Sequence, residues 1–129
     1  MSTWYLDTSA CLKLLVEEPE SEPLAAALDA EAPGAVACWL LETELRRAAH
    51  RLEIDQVLIT DLLAGVDLYE VPGSLFREAG HLLPGTALRS LDSLHLAAAV
   101  RIGVDAVATY DLRMAEGAHA LGLDVRAPA

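Results

Sequence analysis

The chain has 129 residues, 53% of them hydrophobic, and a mean hydropathy of +0.32; this is enough apolar material for one folded domain, residues 1–129, and too much for a disordered chain. Nine basic residues against twenty acidic give a net charge of −11, which repels nucleic acid unless local cations or bound metal reverse the field. No stretch free of Asp, Glu, Lys and Arg exceeds ten residues, against the roughly 20 apolar residues of a membrane span, and no basic segment leads into an apolar run after Met1, so neither a span nor a signal peptide is expected.

Short apolar strands alternate with amphipathic helices, the pattern of an α/β domain with a mainly parallel sheet. Trp4–Leu6 reads as a strand ending at Asp7, with Thr8 and Ser9 available to cap a helix over Ala10–Val16. Pro19 and Pro23 separate a second helix running to Ala30. Pro33-Gly34 reads as a turn and Ala35–Ala37 as a second strand. Trp39–Leu52 is a helix with an apolar stripe of Leu41, Leu45, Ala48, Ala49 and Leu52, and Ile54–Leu63 pairs with it before Gly65. Val66–Val71 alternates as a strand, Ser74–Leu83 is helical, and Pro84-Gly85 is a loop. Ser90–Ile102 is apolar nearly all round, which predicts a helix buried on most sides, stopped by Gly103. Ala106–Thr109 is a strand, Leu112–Leu121 a helix and Leu123–Val125 a closing strand. Cys11 and Cys38 lie in apolar contexts without metal-ligand spacing and read as core thiols of a reducing cytoplasm.

Four acids depart from a plain solvated role. Asp7 and Asp111 each follow an apolar strand and precede a helix, at the sheet edge where open α/β folds bind ligands; each reads either as a helix N-cap or as part of a site. Asp92 lies in the first turn of the most buried helix, where the helix dipole alone accounts for an acid if Ser90 is the N-cap. Glu44 sits about 60° from the centre of its helix's apolar stripe, hence half-buried, with Arg47 and Arg51 on its side; a surface ion pair is the plain alternative. None has an obvious basic partner. Four carboxylates brought together repel one another, and hard divalent cations relieve that repulsion. Such a site suits metal-assisted hydrolysis of a phosphate ester.

The chain resembles the PIN-domain family, specifically the VapC-type toxins of bacterial toxin–antitoxin modules. The matching segments are Tyr5-Leu6-Asp7-Thr8-Ser9-Ala10, Thr43-Glu44-Leu45 with Arg46-Arg47, Leu91-Asp92-Ser93-Leu94-His95-Leu96-Ala97, and Thr109-Tyr110-Asp111. Their order and spacing agree with the family over essentially the whole chain. The resemblance implies a PIN-like three-layer fold, a central parallel sheet flanked by helices, and a ribonuclease using Mg²⁺ or Mn²⁺ held by an acidic quartet. The positions that match are Asp7, Glu44, Asp92 and Asp111, with Asp7 and Asp92 as principal ligands. The hydroxyls of Ser9 and Thr109 match supporting polar positions. His95 reads mainly as a buried residue of the helix packing. The implied substrate is tRNA, rRNA or mRNA, cut to a 5′-phosphate and a 3′-hydroxyl. The implied partners are a cognate antitoxin and a second copy of the chain.

RNA also needs positive contacts. Lys13, Arg46, Arg47, His50, Arg51, Arg89 and Arg113 lie near the acids in sequence and either hold phosphates or pair with surface acids. The leucines of the second helix and the Leu58–Leu63 face offer an apolar groove or ordinary core. A haloacid-dehalogenase-type phosphatase also begins with strand–Asp, but it needs a second acid where Ser9 stands. A receiver domain needs a lysine after a late strand, and Lys13 is the only lysine. A PIN nuclease of RNA processing, and a PIN module that binds without cutting, remain as alternatives.

Overall fold

Trp4, Tyr5 and Leu6 are all buried, which a strand achieves only when both faces of its sheet are covered. The computed structural model, which describes all 129 residues, places this strand, β1 (Thr3–Leu6), at the centre of a five-stranded sheet. The others are β2 (Gly34–Cys38), β3 (Asp67–Tyr69), β4 (Ala106–Ala108) and β5 (Asp124–Arg126), in the order β3-β2-β1-β4-β5 with every pairing parallel. Seven helices flank the sheet: α1 (Thr8–Leu15), α2 (Ser21–Glu31), α3 (Leu40–Leu52), α4 (Gln56–Ala64), α5 (Gly73–Gly80), α6 (Ser90–Ile102) and α7 (Leu112–Ala120). The α/β class expected from the apolar pattern is therefore correct.

This order has a functional consequence. From β1 the chain moves outward to β2 and β3, then returns to lay β4 against the other side of β1 and β5 beyond it. The carboxyl ends of β1 and β4 thus border the point where the winding reverses, the usual crevice for ligands in open parallel sheets. The Asp7 amide bonds the Ala108 carbonyl at 3.2 Å, so the two strand ends are tied together there.

The core is one cluster of small and branched residues around this sheet. Helix α6 supplies an unbroken buried run from Asp92 to Ala99, as its composition predicts, and packs against β2, α5 and α7. Gly117 on α7 allows close approach: a Cβ there would stand 2.7 Å from Leu96 Cδ1.

Several boundaries differ from expectation. Gly34 is the first residue of β2 rather than a turn residue, because its amide already bonds the Ser2 carbonyl beside β1. Helix α2 begins at Ser21, with Pro23 inside its first turn, where a missing N–H leaves no bond unmade. Its C-cap Ala32 adopts φ 43°, a left-handed conformation usually taken by glycine. The third strand shrinks to Asp67–Tyr69, α5 spans Gly73–Gly80, and β5 is shifted one residue later than expected. The N-caps also differ: Asp7 rather than Thr8 or Ser9 caps α1, and Arg89 rather than Ser90 occupies the cap of α6.

Candidate active site

Asp7 is 4% exposed and is both a cap and a site carboxylate. Its Oδ1 accepts from the Ala10 amide at 2.9 Å and the Ser9 hydroxyl at 2.7 Å, and its Oδ2 accepts from the Thr109 hydroxyl at 2.5 Å. Burial pushes its pKa up, against the pull of the Thr109, Ala10 and Ser9 bonds. Ser9 and Thr109 also hold the far side: the Tyr110 amide donates to Ser9 Oγ at 2.8 Å, and the Asp111 amide to Thr109 Oγ1 at 3.0 Å. The two hydroxyls therefore link the carboxyl end of β1 to that of β4. Asp111 caps α7 by accepting from the Met114 amide at 3.0 Å through Oδ1, while its Oδ2 accepts from Arg89 Nη2 at 3.4 Å.

Asp92 enters from the first turn of α6. Its Oδ2 accepts from the Arg89 backbone and Nε, each at 3.3 Å, while Oδ1 makes no hydrogen bond within the protein. Glu44 comes from α3 and is half-buried, as its place on the helical wheel implies. Its Oε1 accepts from the Thr8 hydroxyl at 2.9 Å and from His95 Nε2 at 2.5 Å; its Oε2 has no protein partner. Burial works to raise the Glu44 pKa, but the bond and charge of His95 and the bond from Thr8 together outweigh it and hold the carboxyl low. For His95, burial works downward, while Cys38 and Glu44 raise the pKa to about 10.

All four acids line one open cavity of about 240 Å³, together with Thr8, Ser9, Leu12, Arg89, His95 and Met114. The donors facing it are carboxylate and hydroxyl oxygens, the set that suits Mg²⁺ or Mn²⁺ rather than softer metals. No three His, Cys, Asp or Glu side chains converge on one point. Mg²⁺ keeps several waters and takes one or two carboxylates, so it does not require three to converge. Glu44 Oε2 and Asp92 Oδ1 have no protein partner, and Oδ2 of Asp7 and of Asp111 each accept one hydrogen bond and keep a second lone pair.

The expectation that these acids lack basic partners is wrong in two places. Arg89 reaches Asp92 through Nε at 3.3 Å and Asp111 through Nη2 at 3.4 Å. His95 reaches Glu44, so it is more than a packing residue. Tyr5 and Cys38 belong to the same network: Tyr5 Oη lies 2.7 Å from His95 Nδ1 and accepts from the Cys38 amide at 3.1 Å. Sequence reasoning passed over Tyr5, although a tyrosine in a fully buried strand implies a buried partner for its hydroxyl.

The other basic residues divide into two groups. Lys13 is held by Glu18 at 3.1 Å and Glu20 at 2.9 Å, and Arg46 by Glu42 at 2.9 Å and by Gln56 and Thr60. Arg47, His50 and Arg51 make no ion pair and border a shallow hollow on α3. Arg113 is exposed and shares a groove with Arg89, Tyr110 and Asp111 that continues from the acidic cavity. Of the residues read as a possible groove, Leu24, Ile59 and Leu63 are core, whereas Leu58 is exposed. No helix is long and apolar enough to cross a membrane.

Comparison with known proteins agrees with this fold. The family model for the PIN domain matches residues 4–120. The chain is 42% identical over 131 residues to Ribonuclease VapC46 of Mycobacterium tuberculosis, covering 99% of each, and 38% identical over 130 residues to Ribonuclease VapC35 of the same species, covering 96% of each. Among solved structures, Mycobacterium tuberculosis VapC20, a Sarcin-Ricin loop cleaving toxin, superimposes with a TM-score of 0.76 at 16% identity, over 97% of this chain and 99% of that one. VapBC2 from Rickettsia felis, bound to a DNA fragment from its promoter, gives 0.75 at 14% identity, over 96% of this chain and 97% of that one.

Proposed function

The chain belongs to the PIN-domain family, and from that premise we propose that it is the ribonuclease toxin of a toxin–antitoxin pair, hydrolysing RNA phosphodiesters with a divalent ion held by Asp7, Glu44, Asp92 and Asp111. The observation that carries this reading is the meeting of these acids, from four separate segments, in one cavity at the carboxyl edge of the sheet. The naming of its 35–42% identical relatives as ribonucleases supports the same reaction.

A bound Mg²⁺ or Mn²⁺ supplies Lewis-acid stabilisation of the phosphate oxygens and lowers the pKa of water. The residues of the chain do the rest. Asp7 and Asp92 are the principal ligands, one fixed by Ser9 and Thr109 and the other by the first turn of α6. Glu44 and Asp111 flank them, able to hold a second ion or to orient a water for in-line attack. The groove of Arg89 and Arg113 carries the RNA backbone past Asp111, and Arg47 and Arg51, without acidic partners, hold phosphates beyond Glu44. These cations offset the −11 net charge along the RNA path. The same net charge suits a cognate antitoxin with a basic segment, and a second copy of the chain is the further partner expected.

The test is cleavage of total cellular RNA by the purified chain with Mg²⁺ or Mn²⁺ and with EDTA, beside Asp7→Asn. Metal-dependent cutting to 5′-phosphate ends, lost in the variant, is expected. A folded, metal-loaded, antitoxin-free chain that cuts no RNA would overturn the reading.

A further inference from the structure

The acidic cavity has a buried hydrogen-bonded support behind it that the proposed chemistry does not use. His95 is 3% exposed, one turn after Asp92 on α6, and spans from the sheet to α3. A carboxylate only accepts, so the bond between His95 Nε2 and Glu44 Oε1 requires the proton on Nε2 whatever the charge of the ring. On the other side Tyr5 Oη, 2.7 Å from Nδ1, is itself fixed by the Cys38 amide. The ring is thus anchored by β1 and β2 and presents one N–H to one oxygen of Glu44. Thr8 donates to that same oxygen at 2.9 Å. The result is directional: Oε1 is occupied twice, and Oε2 of this cavity-lining residue is left without a protein partner.

We infer that His95, held by Tyr5, is a positioning residue that orients Glu44 so that one carboxylate oxygen is free for the metal. This rests on the assignment of Glu44 to the metal site above. Without the bond, only the Thr8 hydroxyl fixes the half-buried Glu44 side chain, and each further ordering of that side chain is a cost to metal binding. A histidine that only fills space behind α6 would need neither a donor aimed at Glu44 nor a tyrosine fixing the opposite nitrogen.

Two amides separate these roles. His95→Gln reaches far enough to replace Nε2 and keep a donor for Glu44. His95→Asn is shorter, replaces Nδ1 and keeps only the Tyr5 side. Both lose the ring, so both lower the melting temperature. The readout is Mn²⁺ affinity by titration calorimetry on the full chain, with Glu44→Ala and His95→Asn/Glu44→Ala completing a double-mutant cycle. His95→Asn should weaken Mn²⁺ binding by about 10–100-fold, the usual range for a residue that supports a ligand. His95→Gln should bind nearly as the parent does, and His95→Asn should add nothing once Glu44 is alanine. Equal affinities for the Gln and Asn variants, or full additivity in the cycle, overturn the inference and leave the metal site standing. Unchanged affinity in Glu44→Ala instead removes Glu44 from the metal site, and the inference with it. If neither amide variant folds, Tyr5→Phe, which frees Nδ1 and leaves the imidazole, carries the test: a weaker Mn²⁺ affinity supports the inference and an unchanged one overturns it.

Discussion

Asp7→Asn separates the two roles that Asp7 combines, capping α1 and serving the site. Asparagine has nearly the same shape, and its carbonyl oxygen can keep the bonds from the Ala10 amide and the Ser9 hydroxyl. Its NH₂ group then faces Thr109, whose hydroxyl must turn from donor to acceptor. Exchanging a charge-assisted bond for a neutral one costs about 1 kcal/mol. Against this, burial raises the Asp7 pKa, so the anion is held at a desolvation cost that the amide avoids. The two effects are of similar size and opposite sign. The variant should therefore keep its stability to within about 1 kcal/mol, or about 3–5 °C in melting temperature for a chain of this length. Activity should behave differently. Loss of a residue that merely supports a metal ligand costs about 10–100-fold, so loss of an anionic ligand should exceed about 100-fold. The assay is a thermal melt in EDTA beside Mn²⁺-dependent cleavage of RNA. A variant that melts normally and cuts at a comparable rate refutes the role of Asp7 in catalysis. A variant destabilised by more than about 3 kcal/mol refutes the balance of effects, and Asp7 is then chiefly a cap.

Mn²⁺ at about 100 times its dissociation constant should stabilise the folded chain by about 2.7 kcal/mol in a melt, and much less in Asp7→Asn; a metal-independent melting temperature would contradict the site. Arg47→Gln with Arg51→Gln should weaken binding of single-stranded RNA and reduce the slope of log K against log salt by about 0.7 per lost phosphate contact, without changing the melt. An unaltered slope would place the RNA elsewhere. Ala32→Gly should raise stability by about 0.5–1 kcal/mol, because the exposed C-cap of α2 holds a left-handed φ of 43° that glycine adopts without a Cβ penalty; a lower melting temperature would contradict that strain.

Periodicity revealed the elements because each buries a continuous apolar set, most plainly Trp4–Leu6 and Leu94–Ala99. It placed ends poorly where a hydrogen bond rather than burial decides them, as at Gly34, tied to the Ser2 carbonyl, and Asp7, which caps α1 in place of Thr8 or Ser9. Three of the acids could be selected as strand-end or helix-start residues, and the fourth from the helical wheel. What could not be read was their company. Arg89 is only three residues before Asp92, but its bond to Asp111 crosses from the cap of α6 to that of α7. The path from Tyr5 through His95 to Glu44 joins residues 90 and 51 positions apart, which no local pattern encodes.

The four carboxylates come two from each side of the loop around Pro84-Gly85: Asp7 and Glu44 before it, Asp92 and Asp111 after it. That loop is exposed and lies outside any helix or strand. A chain cut there yields two fragments with half a site each, and β1 in one must find β4 in the other before the hydroxyls of Ser9 and Thr109 can meet. The complete acidic cavity is then a property of the two halves together, and whatever brings them side by side also brings its four carboxylates together.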